Sequence, residues 1–181
     1  MLYESKGMEE KALLETAAKM CAAARTAPKT KGVDNIVTYV LTGNEKDALA
    51  DKMEEVYFRE FGEKEGHYVR DGKNLRNSGA VVLIGVKKAY TGLKHCSFCG
   101  FENCGANKTA GGRCAFNTID LGIAIGSAVS VAADNRVDSR VMFSIGKVFS
   151  EMEYVDDKDI IWEGIPISIS GKSPYFDRVK K

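Results

Sequence analysis

Four of the chain's five cysteines crowd into HCSFCGFENCGANKTAGGRCAFN, residues 95–117. Cys96, Cys99, Cys104 and Cys114 have the spacing C-x2-C-x4-C-x9-C, and thiolates gathered this closely are metal ligands before anything else. A two-residue gap lets the first pair wrap one centre with backbone amides turned toward the sulfurs, and the later two close the cage. Zinc sites pair two such knuckles or use histidines downstream, whereas here there is one knuckle. A [4Fe-4S] cluster tolerates uneven spacing better, because each thiolate takes its own iron corner. Gly100 and Gly105 follow two of the cysteines and Gly111 and Gly112 precede the fourth, which frees the backbone to point amides at sulfide. The arrangement favours a [4Fe-4S] cluster. Zinc is the alternative metal, and a redox-active or merely reduced thiol cluster is the third reading. His95, beside the first cysteine, is read as a hydrogen-bonding neighbour outside the ligand set. Cys21 falls on the apolar face of a helix and is read as core, and His67 stays unassigned.

Composition agrees with reduced, metal-binding thiols. A chain of 181 residues buries a core without covalent staples, so the cysteines are not needed as disulfides. MLYESKGMEEKALLE has neither a basic n-region nor an apolar h-region, and a cytoplasmic location is expected. Lys plus Arg total 26 against 25 Asp plus Glu, with no basic run before the last few residues. Neither nucleic acid nor a membrane surface is expected as a partner.

The elements that must position the cysteines alternate between helix and strand, and the chain reads as one compact α/β unit, a single domain over residues 1–181 with the cluster segment 95–117 inside it. Residues 9–25 carry apolar side chains at steps of three and four, with Pro28 beyond the end, and read as an amphipathic helix. Residues 36–41 read as a buried strand, and Asn44 as the cap of a helix whose stripe is Leu49, Met53, Val56, Tyr57 and Phe61. Residues 62–79 read as a polar excursion, and AVVLIGV, residues 80–86, as the clearest buried strand. Residues 160–169 form a second strand candidate, in which Pro166 argues for an edge or an end. After Cys114, residues 119–133 are apolar or small on nearly every side. They read as a buried central helix, too short and too punctuated by Ser127 and Ser130 for a bilayer span. One such chain has little material to cover that helix all round, and Gly122 and Gly126 offer a flat face, so a homodimer is expected.

CSFCGFENC, CAFNTIDLGIAIGSAVSVAADNRVDSRVM, GIPISISGKSPYFDR and the early AARTAPKTKGVDNI resemble, over nearly the whole chain, a prokaryotic family described as proteins containing a ferredoxin domain. CSFCG is also similar to short C-x2-C-G-x3-C modules that bind [4Fe-4S]. This resemblance implies an iron–sulfur redox protein, an electron carrier or oxidoreductase subunit working with a redox partner. A second resemblance is to flavin-dependent nitroreductases, carried by Ala27-Pro28 before a strand and helix, the small-residue helix opened by Asp120, and Gly164-Ile165-Pro166. It implies an α+β class, a nitroreductase-like sheet with flanking helices, in a dimer holding FMN at the subunit interface. The arginine-rich segment that grips the FMN phosphate in that family has no counterpart here. Arg25, Lys29, Lys172 and Arg178 are the candidates to replace it. A non-catalytic module braced by zinc is the remaining alternative.

Overall fold

The computed structural model describes residues 1–176. The first helix, α1 (Ser5–Thr26), buries Leu13, Thr16, Ala17, Met20 and Ala24, the three-and-four spacing of one helical stripe. It ends where Ala27 turns extended ahead of Pro28, a position where proline disfavours helix in its predecessor. A short 3-10 turn, Thr30–Gly32, follows. It is tied down by Asp120, whose carboxylate accepts the Thr30 N–H at 3.0 Å and its hydroxyl at 2.8 Å.

Next come β1 (Ile36–Thr42) and α2 (Gly43–Phe61), which stops at Gly62 in the left-handed region, φ 67°. The expected polar excursion holds a helix, α3 (His67–Arg76), which buries Tyr68, Val69, Asp71, Gly72 and Leu75. Charged and glycine positions hid that stripe. Asp71 is a buried carboxylate whose oxygens accept from Ser144 at 2.6 Å and from Arg70 at 2.9 Å.

Strand β2 (Ala80–Val86) is buried at all seven positions. Beyond the cysteine segment and its short helix α4 (Cys104–Thr109) lie α5 (Ala115–Asp134), β3 (Asp138–Ser139), α6 (Phe143–Phe149) and β4 (Ile161–Ser168). The sheet runs β1-β2-β4-β3 with every pairing antiparallel. Alternation along β2 builds two cores: Val81 and Leu83 join α2, α3 and α6, while Ala80, Val82, Ile84 and Val86 join α1 and α5. Each valine, leucine or isoleucine among them contributes about 1.5–3 kcal/mol by leaving water. A three-layer α+β sandwich results. Helix α6 lies directly on β4, because any Cβ on Gly146 would overlap the Trp162 carbonyl.

Asn44 lies inside α2, whose cap position is Thr42, and the strand expected to be buried, β1, is an edge strand that buries only Ile36 and Leu41. Two further expectations need correction. Pro166 is neither at an edge nor at a strand end, since β4 pairs with both β2 and β3. Gly164 exchanges backbone hydrogen bonds with Met142, so Pro166, two residues on, turns its nitrogen the same way, and pairing on that side lapses at Arg140 and Val141. The second correction concerns α5. It is 20 residues long and, by length and composition, one helix among the described residues able to cross a membrane. It packs instead along α1 and β2, burying Leu121, Ala124, Ala128 and Ala132. Its other side is open: Ile119 is 43 % exposed and Ile123 39 %, and nothing stands within 4 Å of a Cβ placed on Gly122 or Gly126.

Candidate metal centre

Between β2 and α4 the chain makes no regular structure, and its path is set by left-handed residues. Gly92 and Gly100 have φ of 68° and 82°, and His95 and Ser97, on either side of Cys96, have 53° and 47°. Side chains other than glycine are held there at a cost of about 1–3 kcal/mol each, an expense typical of functional loops. Left-handed residues among ordinary ones turn successive N–H groups to one side, the arrangement that receives anions. The Ser97 carbonyl accepts the Gly100 N–H at 2.9 Å, and its hydroxyl donates to the Glu102 carbonyl at 3.1 Å.

Asn103 then caps α4, its Oδ1 accepting the Ala106 N–H at 2.9 Å, and Cys104 is the first helical residue. The return to Cys114 is fastened from inside. Buried Asn107 donates to the Arg113 carbonyl at 2.9 Å, and Tyr90 donates to that of Gly112 at 2.9 Å. Gly112 has no room for a side chain: a Cβ would overlap Asn107 Oδ1 and stand 2.9 Å from the Phe101 ring.

Cys114 occupies the cap position of α5, where the first N–H groups of a 20-residue helix have no partner within the helix. Burial pushes its thiol up in pKa. The Thr91 hydroxyl at 3.3 Å and the backbone N–H groups of Thr91, Asn117 and Phe116 outweigh that, and the net shift is downward. These donors are the groups that would stabilise a thiolate there. Neither Thr91 nor the capping geometry carried a signal in the sequence.

All four cysteines line one cavity of about 310 Å³, with Leu93, Phe101 and Asn103 among its other walls. Cys114 is buried, and Cys96, Cys99 and Cys104 are half-buried. A single zinc ion with bonds of 2.3 Å would need sulfurs about 3.8 Å apart. Among the described residues no three His, Cys, Asp or Glu side chains close on one ion in this way. The four thiols line the wall of one cavity, a donor set of the kind that would hold a polynuclear cluster. His95 lies exposed on the rim of the same cavity. Cys21 belongs to the α1 core, where burial raises its pKa against a Thr38 hydrogen bond. His67 is stacked on Phe143, with centroids 6.0 Å apart, and meets Tyr68 edge-on.

Of the four basic residues expected at a flavin phosphate, the three described ones do not converge. Arg25 donates to Asp34 at 2.5 Å and to the Ile36 carbonyl at 2.6 Å, and Lys29, nearly buried, donates to the carbonyls of Arg25 and Ala27. Both are used in closing the turn after α1. Lys172 lies in a turn held by Ser170, which lines a groove with Glu10, fifteen positions and roughly 22 Å along α1 from Arg25. Arg178 falls outside the described residues.

The layered arrangement is a nitroreductase-like α+β fold. It superposes on a nitroreductase family protein of Clostridium novyi with a TM-score of 0.57 at 14% identity, over 86% of this chain and 73% of that one. It superposes on an FMN-dependent nitroreductase of Mycobacterium smegmatis, solved with NADPH, with a TM-score of 0.59 at 12% identity, over 93% and 84%. Residues 110–178 match the family described as "Uncharacterized protein containing a ferredoxin domain" (DUF2148). A protein of Archaeoglobus fulgidus, described as uncharacterized, is 41% identical over 189 residues, a match spanning all of both chains. The chain belongs to this ferredoxin-domain family.

Proposed function

We propose that the protein is an iron–sulfur redox protein that holds one [4Fe-4S] cluster on Cys96, Cys99, Cys104 and Cys114. The observation that carries this reading is the single cavity lined by all four thiols, with Cys114 held toward its thiolate at the head of α5. A cluster bound there supplies single-electron transfer. The chain's own part is to ligate, to direct N–H groups at sulfur and to limit water. Burial of Cys114 and the Thr91 hydroxyl set how readily the centre accepts charge.

The test is a cysteine series purified without oxygen. Alanine at any of the four positions should abolish the brown chromophore, while Cys21→Ala should keep it. A chromophore that survives loss of two of the four would overturn the ligand assignment. Zinc recovered in its place from anaerobic material would support a metal-braced binding module instead.

A second reading is favoured by the fold and by the open side of α5: two copies pack through Gly122, Ile123 and Gly126, and the paired subunits bind FMN. The dimer answers the apolar exposure directly. The flavin fits one chain poorly, because Arg25 and Lys29 are engaged elsewhere. Flavin released on denaturation, absorbing near 450 nm, would establish it.

A further inference from the structure

Residues 87–117 hold five cations, Lys87, Lys88, Lys94, Lys108 and Arg113, against one carboxylate, Glu102. That segment is thus four charges positive in a chain of net charge +1, and the remainder is negative by three. Lys88 and Arg113 share Asp159, at 3.8 and 3.4 Å. Lys87, Lys94 and Lys108 are exposed, and none pairs with a carboxylate among the described residues. Lys31 reaches the same region, donating to the Thr91 carbonyl at 3.3 Å.

The same segment carries an exposed apolar knob. Phe98, between Cys96 and Cys99, is 71 % exposed and stacks flat on Phe116, with centroids 5.4 Å apart and planes 13° apart. Phe116 lies two residues past Cys114, so the pair joins the two halves of the cysteine loop. An exposed aromatic in a segment with three exposed, unpaired lysines offers the two parts of a small docking surface, an apolar contact and a charged rim.

We propose that this rim docks an acidic electron-carrier protein, whose carboxylates meet Lys94, Lys108 and Lys87 while Phe98 seats against its surface. This rests on the reading of the cavity as a redox centre. The charge asymmetry selects a negative partner, and Phe98 places the contact in the loop between Cys96 and Cys99. One electron passes from the carrier, which is oxidised, to the cysteine-held centre, which is reduced; no bond forms or breaks. Complexes of this kind are small and weak, and are assembled by electrostatic steering. A nucleic acid suits the surface less well, since Arg113, the segment's only guanidinium, is occupied by Asp159.

The probe is a chemically reduced acidic two-cluster ferredoxin, mixed in stopped flow with the anaerobic holoprotein. The second-order rate of reduction should fall about tenfold or more between about 0.02 and 0.3 M salt. Lys94→Glu with Lys108→Glu should lower the low-salt rate at least tenfold, leaving the visible spectrum and the high-salt rate unchanged. Phe98→Ser should lower the rate at every salt concentration. A rate indifferent to salt and to charge reversal overturns the proposal, as does a single-stranded oligonucleotide whose binding the same reversals abolish while carrier reduction persists. If anaerobic protein carries no chromophore, the redox reading fails separately. Docking is then measured calorimetrically with the oxidised ferredoxin and the colourless chain, and heat unaffected by the charge reversals overturns it.

Discussion

Thr91 Oγ1 lies 3.3 Å from Cys114 Sγ, joining the segment that leaves β2 to the cap residue of α5. The contact links two halves of the site 23 positions apart, and it accounts for much of the downward shift of the Cys114 thiol. In metal-free protein, iodoacetamide should therefore label Cys114 with a midpoint below that of an unperturbed cysteine thiol. Thr91→Val, which keeps the shape and removes the hydroxyl, should move that midpoint upward and weaken cluster retention by about 10- to 100-fold. An unchanged labelling profile would show that the hydroxyl does not act on the sulfur.

Gly112→Ala forces a methyl against Asn107 and the Phe101 ring. Overpacking of this kind destabilises by about 1–3 kcal/mol. Here the strain falls two residues before Cys114, so the variant should lose iron while the sheet holds. The check is iron content beside far-ultraviolet circular dichroism; a full iron complement would show that the loop yields without moving its ligand.

Burial raises Glu163 on β4 above the usual carboxylate range. A raised acid favours the folded state while protonated, so its contribution is complete below the unfolded value of about 4.3 and is lost as pH climbs through the higher folded value. Glu163→Gln removes the titration and keeps the shape. Its Tm relative to the parent should rise on going from about pH 4 to pH 7, and a difference that stays flat over that interval would contradict the assignment.

Ile123→Glu sets a charge on the open side of α5, beside Gly122 and Gly126. Light scattering should give the mass of two chains for the parent and one for the variant, with helical content unchanged. A parent of one-chain mass at all concentrations would remove the dimer and, with it, the interface flavin.

Legibility in the sequence followed the strength of the local pattern. The β-branched run of β2 and the stripe of α1 were plain because burial on both faces and helical periodicity leave little ambiguity. Helix α3 was hidden because Gly72 and three charged residues, Arg70, Asp71 and Lys73, interrupt Tyr68, Val69 and Leu75, and tertiary packing against α2 and α6 supplies what propensity lacks. The ligand candidates could be read from spacing alone. The surroundings that tune them could not, since Thr91 and the left-handed His95 and Ser97 acquire meaning only once the loop closes. The apolar length of α5 suggested full burial, yet which of its sides lies open depends on where α1 and β2 cover it.

The most direct measurement is iron, acid-labile sulfide and zinc per chain in protein purified without oxygen, alongside its electron paramagnetic resonance spectrum after dithionite reduction. The account expects about four irons and four sulfides per chain, negligible zinc, and a reduced-cluster signal lost in Cys114→Ala. One zinc per chain without sulfide, or a full iron–sulfide complement that survives the loss of Cys114, would contradict it.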